Sequence, residues 1–98
     1  MAGSSIGYGI IGCGMMGQEH IRNIALLDDA HVAAIFEPDK KMLAAALKLA
    51  PGAIPAQSIK ELLALASVDC LLIASPNFRH VEHLREIAAA RPLPVLVE

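Results

Sequence analysis

Apolar and polar positions first alternate at Ile6-Gly7-Tyr8-Gly9-Ile10-Ile11, which predicts a strand with Ile6, Tyr8 and Ile10 on one face and glycines on the other. Bare glycines on one face point to close cover by a helix. From Met15 to Leu27 the period changes: Gly17, His20, Ile21, Ile24 and Leu27 recur at helical spacing, and Asp28-Asp29 ends the helix. The run His31-Val32-Ala33-Ala34-Ile35-Phe36 lacks clean alternation, as expected of a strand covered on both sides of a parallel sheet. It stops at Glu37-Pro38-Asp39, because proline cannot donate a ladder hydrogen bond. A second helix carries Met42, Leu43, Ala46, Leu47 and Ala50 as an apolar stripe and halts at Pro51-Gly52.

Ala53-Ile54-Pro55 then offers a stub of strand, and Ser58-Ile59-Lys60-Glu61 has the form of a capping box for a helix from Ile59 to about Ala66. Asp69-Cys70-Leu71-Leu72-Ile73-Ala74 reads as the next buried strand. Ser75-Pro76-Asn77 breaks it, and Asn77 is placed to cap a helix carrying Val81, Leu84, Ile87 and Ala88. Pro94-Val95-Leu96-Val97-Glu98 forms a fifth strand. Strands alternating with helices imply an α/β fold, a Rossmann-type doubly wound parallel sheet of five strands in the order 3-2-1-4-5, with residues 1–98 as one domain. Ligands of such a sheet lie beyond the carboxyl ends of the strands, where the order reverses between strands one and four. The turn after strand one and the Ser75-Pro76-Asn77 turn should therefore face each other across one crevice.

Composition narrows the partners. The 98 residues are 55% apolar and 18% charged, which suits a folded domain and argues against disorder. A formal charge of −2 with eight scattered Lys and Arg provides no basic face for nucleic acid or an anionic membrane. Met1 to Gln18 lacks a basic start and holds six glycines, so it fits neither a signal peptide nor a membrane span, and a cytoplasmic location is expected. Tyr8, Phe36 and Phe78 are too few for a base-stacking surface. Cys13 and Cys70 form no Cys-x-x-Cys pair and read as buried thiols. Cys13 gains some expected reactivity from its place at a helix start, although no His or Lys adjoins it.

Candidate chemistry centres on Gly12-Cys13-Gly14-Met15-Met16-Gly17, a Gly-x-Gly-x-x-Gly spacing between strand one and helix one. Gly12 would permit the tight turn, Gly14 would let a pyrophosphate approach the backbone, and Gly17 would let the helix pack closely on the strand. The helix N-terminus supplies donors and a positive dipole end, so the phosphate needs no basic side chain. Glu37 lies twenty residues after Gly17 at the end of strand two, where an acid is expected to bind the adenosine ribose hydroxyls. A carboxylate there would repel a 2′-phosphate and so favours NAD over NADP, a preference that Lys40-Lys41 nearby could soften.

The turn at Gly12 to Gly17 followed by Gln18-Glu19-His20, then Ser75-Pro76-Asn77-Phe78-Arg79-His80, then Val95-Leu96-Val97-Glu98, together resemble the amino-terminal domain of the glucose-fructose oxidoreductase, inositol dehydrogenase and MocA family. The resemblance covers nearly the whole chain. It implies an NAD(P)-dependent oxidoreductase that moves hydride between a nicotinamide and a hydroxyl-bearing carbon of a sugar, inositol or related polyol. By position, the backbone from Cys13 to Met16 would hold the pyrophosphate, Glu37 the adenosine ribose, and Ser75, Pro76 and Asn77 the nicotinamide half. Glu98 matches the glutamate of the family's Glu-Lys-Pro motif, beside the cofactor. The matching lysine and proline are not in these residues, nor are the aspartate and histidine that serve proton transfer and substrate binding from the family's second domain. The expectation is therefore a truncated cofactor-binding half that binds NAD and does not catalyse alone, the alternative being a stand-alone, non-catalytic nucleotide-binding or regulatory module.

The histidines divide. His20 reads as a packed, structural residue, and His31 supports no functional role. His80, in the first turn of the helix beside the crevice, is expected either to approach the nicotinamide or to serve as a cap. His80 and His83 could share a helix face as metal ligands, but no third ligand lies near in sequence, and no metal is expected. Strand five has an apolar edge, Val95-Leu96-Val97, which makes self-association through that edge, or through the surface a second domain would cover, an expectation as well.

Overall fold

Both edges of β1 (Ile6–Ile11) find a parallel partner, β2 (Ala30–Phe36) on one side and β4 (Cys70–Ile73) on the other, which puts β1 at the centre of the sheet. The computed structural model describes residues 5–75, 80–90 and 93–97. β3 (Ile54–Pro55) extends the sheet past β2, and β5 (Val95–Val97) extends it past β4. The resulting order, 3-2-1-4-5 with every pairing parallel, is the one expected from the sequence. Parallel neighbours need crossovers, supplied by α1 (Met15–Ala25), α2 (Lys40–Leu49), α3 (Ile59–Leu63) and α4 (His80–Ala90).

Ile10 and Ile11 are adjacent in sequence, point to opposite faces and are both fully buried, so the sheet is covered on each side. Ile10 belongs to a cluster with Ile21 and Ile24 of α1, Ala46 of α2 and Leu72. Ile11 belongs to the other cluster, with Ile59 and Leu62 of α3, Ile87 of α4 and Ile73. On the glycine face of β1 a helix covers Gly9 as expected, a Cβ there standing 2.8 Å from Leu62 of α3, whereas Gly7 is covered by the loop before β4, where a Cβ would collide with the Ser67 carbonyl. Asp39 starts α2 by accepting the N–H groups of Lys41 and Met42 at 2.9 and 3.0 Å, and Ser58 starts α3 by accepting that of Glu61 at 3.0 Å.

Several apolar stripes end differently from expectation. α1 stops at Ala25 because the chain must reverse within four residues to enter β2, so Leu27 is exposed and not packed inward. Ile6 is exposed as well, at the entry end of β1. α3 closes at Leu63, since the chain then dives to bury Val68 fully ahead of β4. Among the described side chains of α4 the buried pair is His83 and Ile87, one turn apart, while Leu84 is turned out to solvent. The expected cap Asn77 and the side chains of Val81 and Ala88 lie outside the described residues. Among the described residues no helix is long and apolar enough to cross a membrane.

Candidate functional site

The carboxyl ends of β1, β2 and β4 bound a cleft of about 890 Å3, lined at its base by Gly12, Gly14, Met15 and Met16. Gly12 leaves β1 at φ 91°, a conformation side chains rarely adopt, and its N–H donates to the Phe36 carbonyl at 2.9 Å. A Cβ there would lie 2.5 Å from the Ser75 nitrogen, so the first turn and the turn after β4 are in backbone contact. A Cβ on Gly17 would collide with the Gly12 carbonyl, which is the close approach of helix to strand that the pattern predicts. Gly14 differs from both. Among the described residues its added Cβ would meet only the Met42 Sδ, at an ordinary 3.9 Å, so these residues make no steric demand for glycine there.

Gly14 is also the N-cap of α1, extended at φ −70° and ψ −157°, and no side chain caps the helix. The first helical bond runs from the Gln18 N–H to the Gly14 carbonyl at 2.9 Å, which leaves the N–H groups ahead of it without acceptors inside the helix. α2 and α3 begin under the side chains of Asp39 and Ser58, whereas α1 presents backbone donors and a positive dipole end to the cleft. Among the described lining residues there is no Lys or Arg, while Glu37, Asp39, Glu82 and Glu86 all line it. Among the described residues it is the backbone of the glycine turn that offers an anion in this cleft a positive dipole end.

Glu37 stands one residue past β2 and is half-buried. Its Oε1 accepts the Cys13 N–H at 2.8 Å and its Oε2 accepts the Asp39 N–H at 2.9 Å. The acid expected to meet a ribose thus also ties the end of β2 to the glycine turn, and each oxygen retains a second lone pair. The Cys13 amide is accordingly engaged by Glu37. Cys13 is fully buried, with its Sγ 3.5 Å from the Met42 carbonyl. Burial first, then the charge of Glu37 and its hydrogen bond, then Asp39, push the Cys13 thiol up to about 12. Cys13 is the buried thiol expected, and the added reactivity of a helix start is not realised, because the thiol stays protonated and covered at neutral pH. Burial and Asp69 likewise raise Cys70 above its ordinary value.

Ser75 lines the cleft opposite the glycine turn, and its Oγ lies 2.9 Å from Nδ1 of the buried His83. Gly12, Gly14, Met15, Met16, Glu37 and Ser75 are thus brought together, with Cys13 and Gly17 packed behind them. His80 opens α4, but its side chain, together with Pro76, Asn77 and Glu98, lies outside the described residues. His20 is half-buried on α1, and His31 is exposed with Nδ1 2.7 Å from Ser5 Oγ. Among the described residues no three side chains of metal-ligating type gather. Sequence reasoning missed Met42, Ser58, Glu82, His83 and Glu86 as cleft residues. Met42 was legible only as part of an apolar stripe, and His83 only as one of a possible ligand pair.

A doubly wound parallel sheet whose bare glycine turn opens an uncapped helix, facing an acid at the end of β2, defines a dinucleotide-binding Rossmann domain. The chain belongs to the GFO_IDH_MocA oxidoreductase family, NAD-binding Rossmann fold, whose sequence model matches residues 6–98. It is 40% identical over 95 residues to an inositol 2-dehydrogenase of Corynebacterium glutamicum strain R, covering 96% of this chain and 28% of that one. The WlbA dehydrogenase of Bordetella pertussis, crystallised with NADH and UDP-GlcNAcA, superposes with a TM-score of 0.83 at 32% identity, over 95% of this chain and 28% of its own. A myo-inositol dehydrogenase of Corynebacterium glutamicum gives a TM-score of 0.80 at 28% identity, over 95% and 27%. The chain thus spans a little over a quarter of the length of these relatives.

Proposed function

We propose that this chain holds NAD as the cofactor-binding part of a dehydrogenase that moves hydride between nicotinamide and a hydroxyl-bearing carbon of a sugar, inositol or related polyol. Gly14 is the observation that carries the reading. It is a glycine whose missing side chain the fold does not need, set at an uncapped helix start in the cleft. The N–H groups of Gly14, Met15 and Met16 take the pyrophosphate, and Glu37 takes the adenosine ribose hydroxyls through its remaining lone pairs while it keeps the Cys13 amide. Ser75, with Pro76, Asn77, His80 and Glu98 by their place in the sequence, serves the nicotinamide half.

NAD, when bound, supplies the hydride acceptor; the chain's own residues bind and orient it. Glu37 and the lack of Lys or Arg among the described residues that line the cleft favour NAD over NADP, whose extra phosphate Glu37 would repel. The polyol class follows the relatives' names, and the 98 residues are expected to bind cofactor without turning over a substrate. The same residues are expected to associate with one another through β5. Calorimetric titration with NAD, NADP, FAD and ATP tests the reading: NAD should bind tightest, and a preference for NADP or FAD overturns it. Turnover of NAD with a panel of polyols by these 98 residues alone would overturn the claim that they bind without catalysing.

A further inference from the structure

His83 occupies a place where a helix packed on a sheet ordinarily presents a hydrocarbon. α4 turns His83 and Ile87 toward the sheet, at 5% and 3% exposure, while Glu82, Leu84, Arg85 and Glu86 around them are exposed. Burying an imidazole costs free energy unless its nitrogens find partners. Here Nδ1 lies 2.9 Å from Ser75 Oγ, and no buried side-chain nitrogen or oxygen among the described residues lacks a partner. Ser75 is also the residue whose backbone nitrogen and Cα would stand 2.5 and 2.6 Å from a Cβ on Gly12. Among the described residues a side-chain hydrogen bond and a close backbone approach connect α4 to the glycine turn, in the order His83, Ser75, Gly12.

We propose that His83 is a positioning residue of the cofactor site: by holding the Ser75 hydroxyl it fixes the turn after β4 against the glycine turn and so sets the spacing of two walls of the cleft. The inference rests on the cofactor reading above and extends it to a residue outside the glycine pattern. A leucine at the same place would fill the core equally well but would not hold the Ser75 hydroxyl. Either tautomer of His83 serves, because a serine hydroxyl both donates and accepts. The walls that the bond fixes are the ones a bound dinucleotide must span, with Gly12 and Ser75 on opposite sides of the strand-order reversal.

Titration of the 98-residue chain and its variants with NAD tests this. His83→Leu keeps the packing and is expected to weaken binding roughly three- to tenfold, the worth of one hydrogen bond, with little change in thermal midpoint. His83→Asn places an amide near the position of Nδ1 and is expected to restore affinity to within about twofold, which a purely space-filling role for His83 would not produce. Ser75→Ala should weaken binding at least as much as His83→Leu, because Ser75 itself faces the cofactor, and the double variant should be no worse than Ser75→Ala alone. Unchanged affinity in His83→Leu, no rescue by His83→Asn, or additive losses in the double variant would each overturn the proposal. If His83→Leu does not fold, Ser75→Ala must still lose affinity and His83→Asn must still keep it. A wild-type chain that does not bind NAD overturns the cofactor reading and this inference together, whereas wild-type binding with unresponsive variants overturns this inference alone.

Discussion

Glu37 Oε1 and the Cys13 N–H are joined at 2.8 Å, so the acid at the end of β2 is part of the framework of the glycine turn. Its second oxygen holds the Asp39 N–H at 2.9 Å, and Asp39 in turn caps α2. One carboxylate therefore links β2, the turn and the start of α2. Glu37→Gln replaces one acceptor oxygen with an NH2 group facing a backbone N–H. The expected cost is about 1–3 kcal/mol of folding stability, read by denaturant unfolding, together with weaker NAD binding and a narrowed preference over NADP. A variant as stable as the wild type would show that the bond to Cys13 contributes nothing.

The three glycines of the turn should fail in two different ways when changed to alanine. Gly12→Ala meets both an unfavourable φ of 91° and the Ser75 backbone, and Gly17→Ala meets the Gly12 carbonyl, so each is expected to destabilise the fold by several kcal/mol. Gly14→Ala meets only a methionine sulfur at contact distance and should fold within about 1 kcal/mol of wild type. It should nevertheless lose NAD affinity, because the new methyl occupies the space a phosphate would take. Thermal unfolding alongside titration separates these cases. A Gly14→Ala chain that binds NAD normally would remove the principal support for the pyrophosphate site.

The features legible in the sequence are those set by local chemistry and periodicity. The glycine spacing, Glu37 at the end of β2, the Ser58 cap and the alternation of strand with helix all recur in the structure because each is fixed within a few residues. Features set by contacts between distant segments were not legible. Nothing near Glu37 in sequence announces that its carboxylate holds the Cys13 amide, and the thiol of Cys13 is kept inert first by its burial and then by the nearby Glu37 charge, neither of which its local sequence shows. His83 was misread because helical spacing alone did not decide between Leu84 and His83 as the inward residue. The hydrogen bond to Ser75 compensates the burial of the polar choice.

Cys13 should make the fold sensitive to base. Well below pH 9 its thiol is protonated in both the folded and unfolded chain and contributes no pH dependence. Above the ordinary value of 9.0 the unfolded thiol ionises while the folded one, held up to about 12, keeps its proton. The stability associated with the buried neutral thiol is then lost as pH rises through that window, by about 1.4 kcal/mol per pH unit. Chemical denaturation of wild type and Cys13→Ala across alkaline pH isolates the effect: the wild type should fall more steeply, and parallel curves would refute it. At neutral pH a thiol reagent should leave Cys13 unmodified in the folded chain.

β5 is the last element whose chemistry bears on behaviour in solution. β4 pairs with one of its edges, and among the described residues the other edge has no partner in the sheet. Leu96 and Val97 are 59% and 40% exposed, and no charge interrupts Val95-Leu96-Val97. An apolar strand with unpaired backbone groups is a template for pairing with a second copy of itself. Light scattering on the 98-residue chain should therefore show oligomers that grow with concentration. Leu96→Lys places a charge on that edge and should shift the population toward monomer while leaving NAD affinity unchanged, since Leu96 does not line the cleft. A wild-type chain that stays monomeric at high concentration would refute the association, and a Leu96→Lys chain that associates equally well would place it elsewhere than β5.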